Sequence, residues 1–157
     1  MSNRREKSNH SLVAAVTLTV ILFAGCNKTT PTTPSSGTVN VQGDWVGLAN
    51  QTSQIGGPAT FFQFVQLTQQ GTQIEGTAQA CADQAATQCS QPPQTGTGII
   101  SGRTVTLAVA TGPGDPCPGA GTTTFTVNEA VTEAIGTTTG NYTCLGDMTV
   151  TYVMQKR

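Results

Sequence analysis

Residues 147–155 read DMTVTYVMQ, and apolar side chains occupy every second position of this stretch. Met148, Val150, Tyr152 and Met154 would face one way, while the residues between them, most of them polar, would face the other. A period of two is the pattern of a β-strand buried on one side, whereas an amphipathic helix needs apolar residues at every third or fourth position. This segment is therefore predicted to be a strand with one face in a hydrophobic core.

Seven further segments of residues 39–157 also have strand character. This region is rich in Thr, Gly and Gln and poor in Leu, Lys and Glu, a composition that suits strands and turns better than helices. Tight hairpin turns are predicted at Gln70-Gly71-Thr72 and Ser101-Gly102. The predicted strands are Val39 to Asn50, Thr60 to Gln69, Gln73 to Ala80, Thr97 to Ser101, Arg103 to Thr111, Thr122 to Ala130, Glu133 to Thr143 and Asp147 to Gln155.

Eight short strands in succession favour one all-β domain, an antiparallel eight-stranded up-and-down barrel, because closing the sheet removes its exposed edges. A β-sandwich is the alternative. In an up-and-down order the odd-numbered connections share one end of the domain, and the long connections 51–59, 81–96 and 112–121 are odd-numbered. Loops on a rigid scaffold often carry binding, so this end is predicted to be a binding rim.

The sequence leaves open whether the barrel is filled or hollow. In the second strand Phe62 and Phe64 share one face, while Phe61 and Val65 share the other, so the strand could be buried on both sides. Small inward residues would leave a cavity and bulky ones would fill it. The small candidates are Gly76, Ala78 and Ala80, and the bulky ones are Trp45, Phe62, Phe64 and Met154.

The first 26 residues have the features of an export signal. Basic residues at positions 4, 5 and 7 precede the apolar run Leu12 to Phe23, and small residues lead to Cys26. That run is shorter than the ~20 apolar residues of a membrane-spanning helix. The segment Ala24-Gly25-Cys26 resembles the bacterial lipobox, which implies removal of residues 1–25 and lipidation of Cys26. The alternative is an ordinary secretory signal in which Cys26 falls near the cut by chance.

The resemblance to bacterial lipoproteins also implies a location. Asn27 follows the cysteine, where an aspartate would retain the protein at the inner membrane, so the expected site is the cell envelope at the outer membrane. Residues 26–38 contain the stretch TTPTTPSSGT and no apolar residue after Cys26, which predicts a flexible linker. Residues 39–157 would form the folded domain, attached to the membrane only through lipid.

The composition after residue 25 argues against two classes of protein. His10 is the only histidine and would be lost with the signal, so His-based catalysis and His-based zinc sites are excluded. Four basic and seven acidic side chains remain, a formal net charge of −3. A nucleic-acid partner would require a basic surface. The expectation is a protein that is not an enzyme and has no cofactor, no metal and no nucleic-acid partner.

Four cysteines besides Cys26 lie in the predicted domain: Cys81, Cys89, Cys117 and Cys144. An even number of cysteines in an exported chain indicates disulfides, for which three pairings exist. Pairing Cys81 with Cys89 and Cys117 with Cys144 is favoured, because the first pair closes a short loop and leaves the second to bridge neighbouring strands. Since no CxxC motif occurs, zinc binding and redox chemistry are minor alternatives.

Two short motifs suggest a family. Gly43-Asp44-Trp45 is similar to the G-x-W signature of lipocalins and avidins, and QQGTQIEGTA, residues 69–78, resembles a hairpin of avidin-type barrels. The resemblance implies a calycin-like barrel. Biotin binding does not carry over, because Trp45 is the only tryptophan and Ala78 stands where the avidin hairpin has a tyrosine. Trp45 is expected to plug the core, and Trp45 and Phe64 are the candidate ligand contacts.

Three functions fit this sequence. The first is a non-enzymatic envelope lipoprotein that presents disulfide-held loops to a protein or glycan partner. The second is a carrier of a small apolar ligand inside the barrel, and the third is a structural surface-coat lipoprotein. The side chains inside the barrel discriminate between the first two, since a carrier needs a cavity.

Overall fold

The computed structural model describes residues 37–157, which contain eight β-strands and no helix. The predicted signal peptide, the lipidation site Cys26 and the linker up to residue 36 lie outside the described residues. No helix of the described part is long and apolar enough to cross a bilayer. The strands are β1 (Gly43–Ser53), β2 (Ala59–Gln70), β3 (Gln73–Cys81), β4 (Gln94–Ser101), β5 (Thr104–Ala110), β6 (Gly119–Val127), β7 (Glu133–Tyr142) and β8 (Gly146–Lys156).

The strands form a closed antiparallel barrel in up-and-down order. Each strand pairs with the next one in the chain, and β1 also pairs with β8 along nine residues, from Trp45 opposite Lys156 to Ser53 opposite Met148. This confirms the predicted barrel and excludes the sandwich. The arrangement is compatible with a calycin-like fold.

The core comes from the period-two pattern seen in the sequence. Met148, Val150, Tyr152 and Met154 of β8 are all at least 93% buried, because alternate residues of a strand point to the same side and that side faces the barrel axis. The main core and both pairs of cysteines lie within residues 39–157. This part of the chain therefore contains what a barrel needs to fold by itself.

The end of the barrel that carries the even-numbered connections is closed by residues 39–42. Val41 and Trp45 are fully buried there, and the indole nitrogen of Trp45 donates to the Val41 carbonyl at 2.9 Å. The Gln69 side chain accepts from the Val41 amide at 2.8 Å and donates to the Val39 carbonyl at 3.0 Å. These residues plug the closed end, and Trp45 is a core residue as expected.

The first strand was predicted to begin at Val39, and this boundary is wrong. The strand begins at Gly43, whose φ of +126° is unfavourable for any residue with a side chain. This glycine turns the chain from the plug into β1. The side-chain amide of Gln69 bonds to the backbone of Val39 and Val41, in place of the hydrogen bonds that a neighbouring strand would make.

The sequence left open whether Phe62 and Phe64 fill the barrel, and in the structure they do not. Phe64 lies opposite Gln79 and Val46 on the outer face, between neighbours that point inward. The Arg157 guanidinium lies 5.7 Å from the centre of the Phe64 ring and also donates to the Gln84 carbonyl. Arg157 and connection 82–93 therefore meet on the outer wall. Because Phe64 lies on this wall too, it does not fill the interior of the barrel.

Candidate ligand-binding cup

The open end of the barrel contains a cup of about 340 Å³. Residues of β1, β2, β3, β4, β7 and β8 form its sides. Its rim is formed by connections 82–93, 111–118 and 143–145, which are odd-numbered and meet at this end. The cup is lined by Gln51, Ala59, Phe61, Gln63, Ala78, Gln79, Ala80, Ser90, Gln91, Pro92, Gln94, Thr111, Asp115, Pro116, Cys117, Thr138, Tyr142, Leu145, Met148 and Val150.

Two disulfides hold the rim, in the pairing that the sequence favoured. Cys81–Cys89 joins the end of β3 to connection 82–93, and Cys117–Cys144 joins connections 111–118 and 143–145. Cys117 packs partly against the core and lines the cup. The second disulfide therefore fixes one side of the mouth to the barrel wall.

Acidic side chains organise the loops of the rim. Both carboxylate oxygens of Asp83 accept hydrogen bonds, from the Thr87 hydroxyl at 2.7 Å and from the Thr87 and Gln88 amides at 3.1 Å. These bonds, chiefly from Thr87, lower the pKa of Asp83. Asp115 accepts from the Cys117 amide at 2.7 Å. Connections 82–93 and 111–118 thus have defined shapes.

Three buried polar atoms inside the barrel have no hydrogen-bond partner among the described residues. They are Oε1 of Gln63 and the hydroxyl oxygens of Tyr142 and Tyr152. Tyr142 is 2% exposed and Tyr152 is 3% exposed. Buried polar groups in folded proteins are nearly always paired, and leaving one unpaired costs about 1–3 kcal/mol. Such unpaired groups are expected where a bound molecule, rather than the protein, completes the hydrogen bonding.

The neighbouring residues explain the position of each of these three groups. A Cβ at Gly119 would lie 2.4 Å from Cδ1 of Tyr142, so the glycine makes room for the ring. Gln63 lies opposite Gly47 on β1 and Ala80 on β3, and neither neighbour has a side chain that can hydrogen-bond to its amide. The Tyr152 hydroxyl lies near Thr123 and Thr138, whose hydroxyls bond each other at 2.7 Å instead.

Both phenols stay protonated at neutral pH. Burial raises the pKa of Tyr152 to about 12, and the hydroxyls of Thr138 and Thr123 oppose part of the shift. Burial also raises the pKa of Tyr142, Asp115 adds to this shift, and Gln94 opposes it. Each hydroxyl can therefore donate as well as accept a hydrogen bond.

A smaller cavity of about 30 Å³ lies beneath the cup. The two cavities share Gln63, Ala78 and Gln94, while Tyr152 and Thr123 line only the smaller one. Its volume equals that of about one water molecule in the liquid. Gln63 and Gln94 are thus the polar side chains at the boundary between the two cavities, and they form the polar floor of the cup.

The cup contains little charge. Asp115 at the rim is the only charged residue among its lining residues, and no lysine, arginine or histidine lines it. No group of three or more His, Cys, Asp or Glu side chains that could hold a metal ion occurs within residues 37–157. Hydroxyls, amides and apolar side chains are the chemistry that the cup offers.

The residues proposed from the sequence are only partly brought together. The four cysteines of the disulfides lie at or beside the mouth, whereas Trp45 plugs the opposite end and Phe64 lies outside the barrel; neither lines the cup. Sequence reasoning missed Gln63, Tyr142 and Tyr152. Their signal was a polar group on the buried side of a period-two pattern, which is visible for Tyr152 within DMTVTYVMQ.

A scan against protein-family models finds no matching family, and a search of the curated proteins finds no similar sequence.

Proposed function

We propose that this protein is a non-enzymatic lipoprotein of the bacterial cell envelope, anchored through Cys26, that captures a small molecule in the cup of a calycin-like barrel. The observation that carries the proposal is a pair of buried polar atoms that line the cup and have no partner within hydrogen-bond distance among the described residues, Oε1 of Gln63 and the hydroxyl oxygen of Tyr142. A hydrogen bond from a ligand to either atom is a source of affinity.

The dimensions and composition of the cup support the same function. Its volume of about 340 Å³ lies within the range of about 300–1,000 Å³ for small-molecule sites. Phe61, Met148 and Val150 provide apolar wall, and a few polar groups converge near the floor. This combination favours an amphipathic ligand over the wholly apolar one that a hydrophobic interior would take.

A second candidate function is capture of a protein or glycan partner by the rim. It is favoured by the two disulfides and by the hydrogen bonds of Asp83, which keep the rim loops in fixed conformations. Preformed loops lose less entropy on binding. The two functions predict different critical residues, because a rim partner would not contact the floor.

Native mass spectrometry of residues 37–157 after exposure to an envelope extract tests the proposed function. The expected result is a small molecule that remains bound to the folded domain. Ala78→Leu, which fills the junction of the two cavities, should abolish the adduct. The matched control is Ala108→Leu, because Ala108 is exposed on the outside of β5.

The alternative functions give other results. The second candidate would be favoured by a protein or glycan that Ala78→Leu and Ala108→Leu capture equally. Capture of that partner should be lost when Ser90→Lys or Gln91→Lys alters the rim. No adduct and no captured partner would leave the structural surface-coat role. Circular dichroism of each variant ensures that only folded proteins are compared.

A further inference from the structure

We propose that the cup takes an uncharged amphiphile that enters with its polar end first, so that an amide or alcohol head lies between Gln63 and Tyr142. This inference rests on the proposed function and adds the class and orientation of the ligand. Its chemistry is that of a primary amide or a neutral alcohol with an apolar tail of about eight carbons.

Two polar side chains, Gln63 and Gln94, line both the cup and the small cavity beneath it, so they mark the inner end of the cup. Within residues 37–157, Oε1 of Gln63 is a buried acceptor without a donor, and the Tyr142 hydroxyl, which lies near the Gln94 side chain, has no partner within hydrogen-bond distance. An amide or alcohol head can donate to one and accept from the other, so a polar head satisfies groups that a tail would leave unpaired.

The electrostatics of the cup exclude an anionic head. No cationic side chain lines the cup, while the carboxylate of Asp115 lies at its rim. A carboxylate or phosphate head would have to give up its water without a compensating positive charge, which is strongly unfavourable. It would also pass the negative charge of Asp115 at the mouth. A fatty acid in its ionised form is therefore a poor ligand.

Apolar side chains lie along the wall between the polar floor and the rim. Phe61 of β2 and Leu145 of connection 143–145 are partly buried and pack against the core, and Met148 and Val150 complete this wall. The cup has the volume of about eleven water molecules at ~30 Å³ each. An amphiphile of about ten non-hydrogen atoms therefore fits within it.

Octanamide and octanoate are the probes for this inference, because they share a chain and differ in the charge of the head. Residues 37–157 would be titrated with each probe at pH 7 and followed by amide chemical shifts in NMR. The expected result is that octanamide binds at least about tenfold more tightly than octanoate. Shifts should concentrate on residues of the cup, and those of Gln63 and Tyr142 should be among the largest.

Variants at Gln63 and Tyr142 test the orientation. Gln63→Leu should weaken octanamide about tenfold, since a polar contact of this kind is worth about one factor of ten, and it should reduce the preference over octanoate. Gln70→Leu is the matched control, because Gln70 is exposed on the outer face of β2, and it should change neither affinity. Tyr142→Phe should weaken octanamide in the same direction as Gln63→Leu.

Each contrary outcome overturns a distinct statement. Equal or tighter binding of octanoate would refute the uncharged head while leaving a ligand-binding cup. Binding of octanamide that is lost in Ala78→Leu but unchanged in Gln63→Leu and Tyr142→Phe would refute the head-first orientation. If neither probe binds at millimolar concentration, this inference is refuted, while the proposed function is decided separately by the adduct in native mass spectrometry.

Discussion

Tyr152 combines two roles that one residue rarely has. Its ring lies in the core of the barrel on the alternating pattern of β8, and its hydroxyl is one of the three unpartnered polar atoms. A phenylalanine at this position would give the same packing without an unpaired hydroxyl. The hydroxyl is therefore what distinguishes Tyr152 from an ordinary core residue, and its titration tests the environment of this group.

The first prediction concerns stability at high pH. Because burial raises the pKa of Tyr152 from 10 to about 12, the unfolded state loses its proton first, and the neutral phenol stabilises the folded state fully below pH 10. This stabilisation falls as the pH rises from 10 to 12, by about 2–3 kcal/mol for a shift of this size. Urea titrations at several pH values should show that Tyr152→Phe loses less stability over this interval than the wild type.

Tyr142 must be held constant in that comparison, because burial raises its pKa as well. Both proteins retain Tyr142, so the difference between them reports Tyr152 alone. An identical loss of stability in the variant and the wild type between pH 10 and 12 would show that Tyr152 ionises with its ordinary pKa.

The second prediction concerns Trp45. Trp45→Phe should lower the free energy of unfolding by about 2 kcal/mol, because it removes the bond from the indole to the Val41 carbonyl and part of a fully buried side chain. It should leave binding in the cup unchanged, since Trp45 lies at the opposite end. Urea denaturation measures the first effect and titration with octanamide the second. A loss of binding without a loss of stability would make Trp45 a ligand contact.

At the scale of elements, the strands and their order could be predicted from the sequence, whereas several boundaries and faces could not. The alternation in β8 predicted both its position and its buried side. The sixth strand was predicted to continue to Ala130 but ends at Val127, because the Asn128 side chain accepts from the Thr132 and Glu133 amides and forms a turn. Side chain to backbone bonds of this kind are not visible in a hydrophobic pattern.

The face of β2 was ambiguous for a different reason. Apolar residues occupy both sides of this strand, and only its pairing with β1 and β3 and the contact of Arg157 with the Phe64 ring show that Phe64 lies on the outside. The cup was likewise predicted only as a region, the end where the long connections meet. Its polar residues depend on how β2, β7 and β8 approach one another, which one strand pattern does not specify.

The third prediction compares the two disulfides. Cys117–Cys144 spans 27 residues and Cys81–Cys89 spans 8, so the first restricts the unfolded chain more. Replacing Cys117 and Cys144 by alanine should lower the free energy of unfolding by about 3–4 kcal/mol, roughly 1 kcal/mol more than the same change at Cys81 and Cys89. Urea titration of the two double variants under non-reducing conditions measures the difference. A larger loss for the shorter loop would contradict the chain-entropy argument.

At the scale of the whole molecule, the two ends of the barrel differ in structure. The plug of residues 39–42 and Trp45 closes one end, which is also where the chain enters β1. The cup opens at the other end, because up-and-down order puts all odd-numbered connections together. A protein tethered through its N-terminal side would then have the mouth of the cup turned away from the tether.

The fourth prediction tests the tether. Cys26→Ala should move the protein from the membrane fraction to the soluble fraction, because it removes the only site of lipid attachment that the sequence indicates, and residues 37–157 contain no helix that spans a membrane. Lys28→Ala, two residues away, should stay with the membrane. Fractionation after a high-salt wash, together with incorporation of labelled palmitate, distinguishes the two variants. Retention of Cys26→Ala in the washed membranes would require another means of attachment and would remove the reason for orienting the cup away from the lipid.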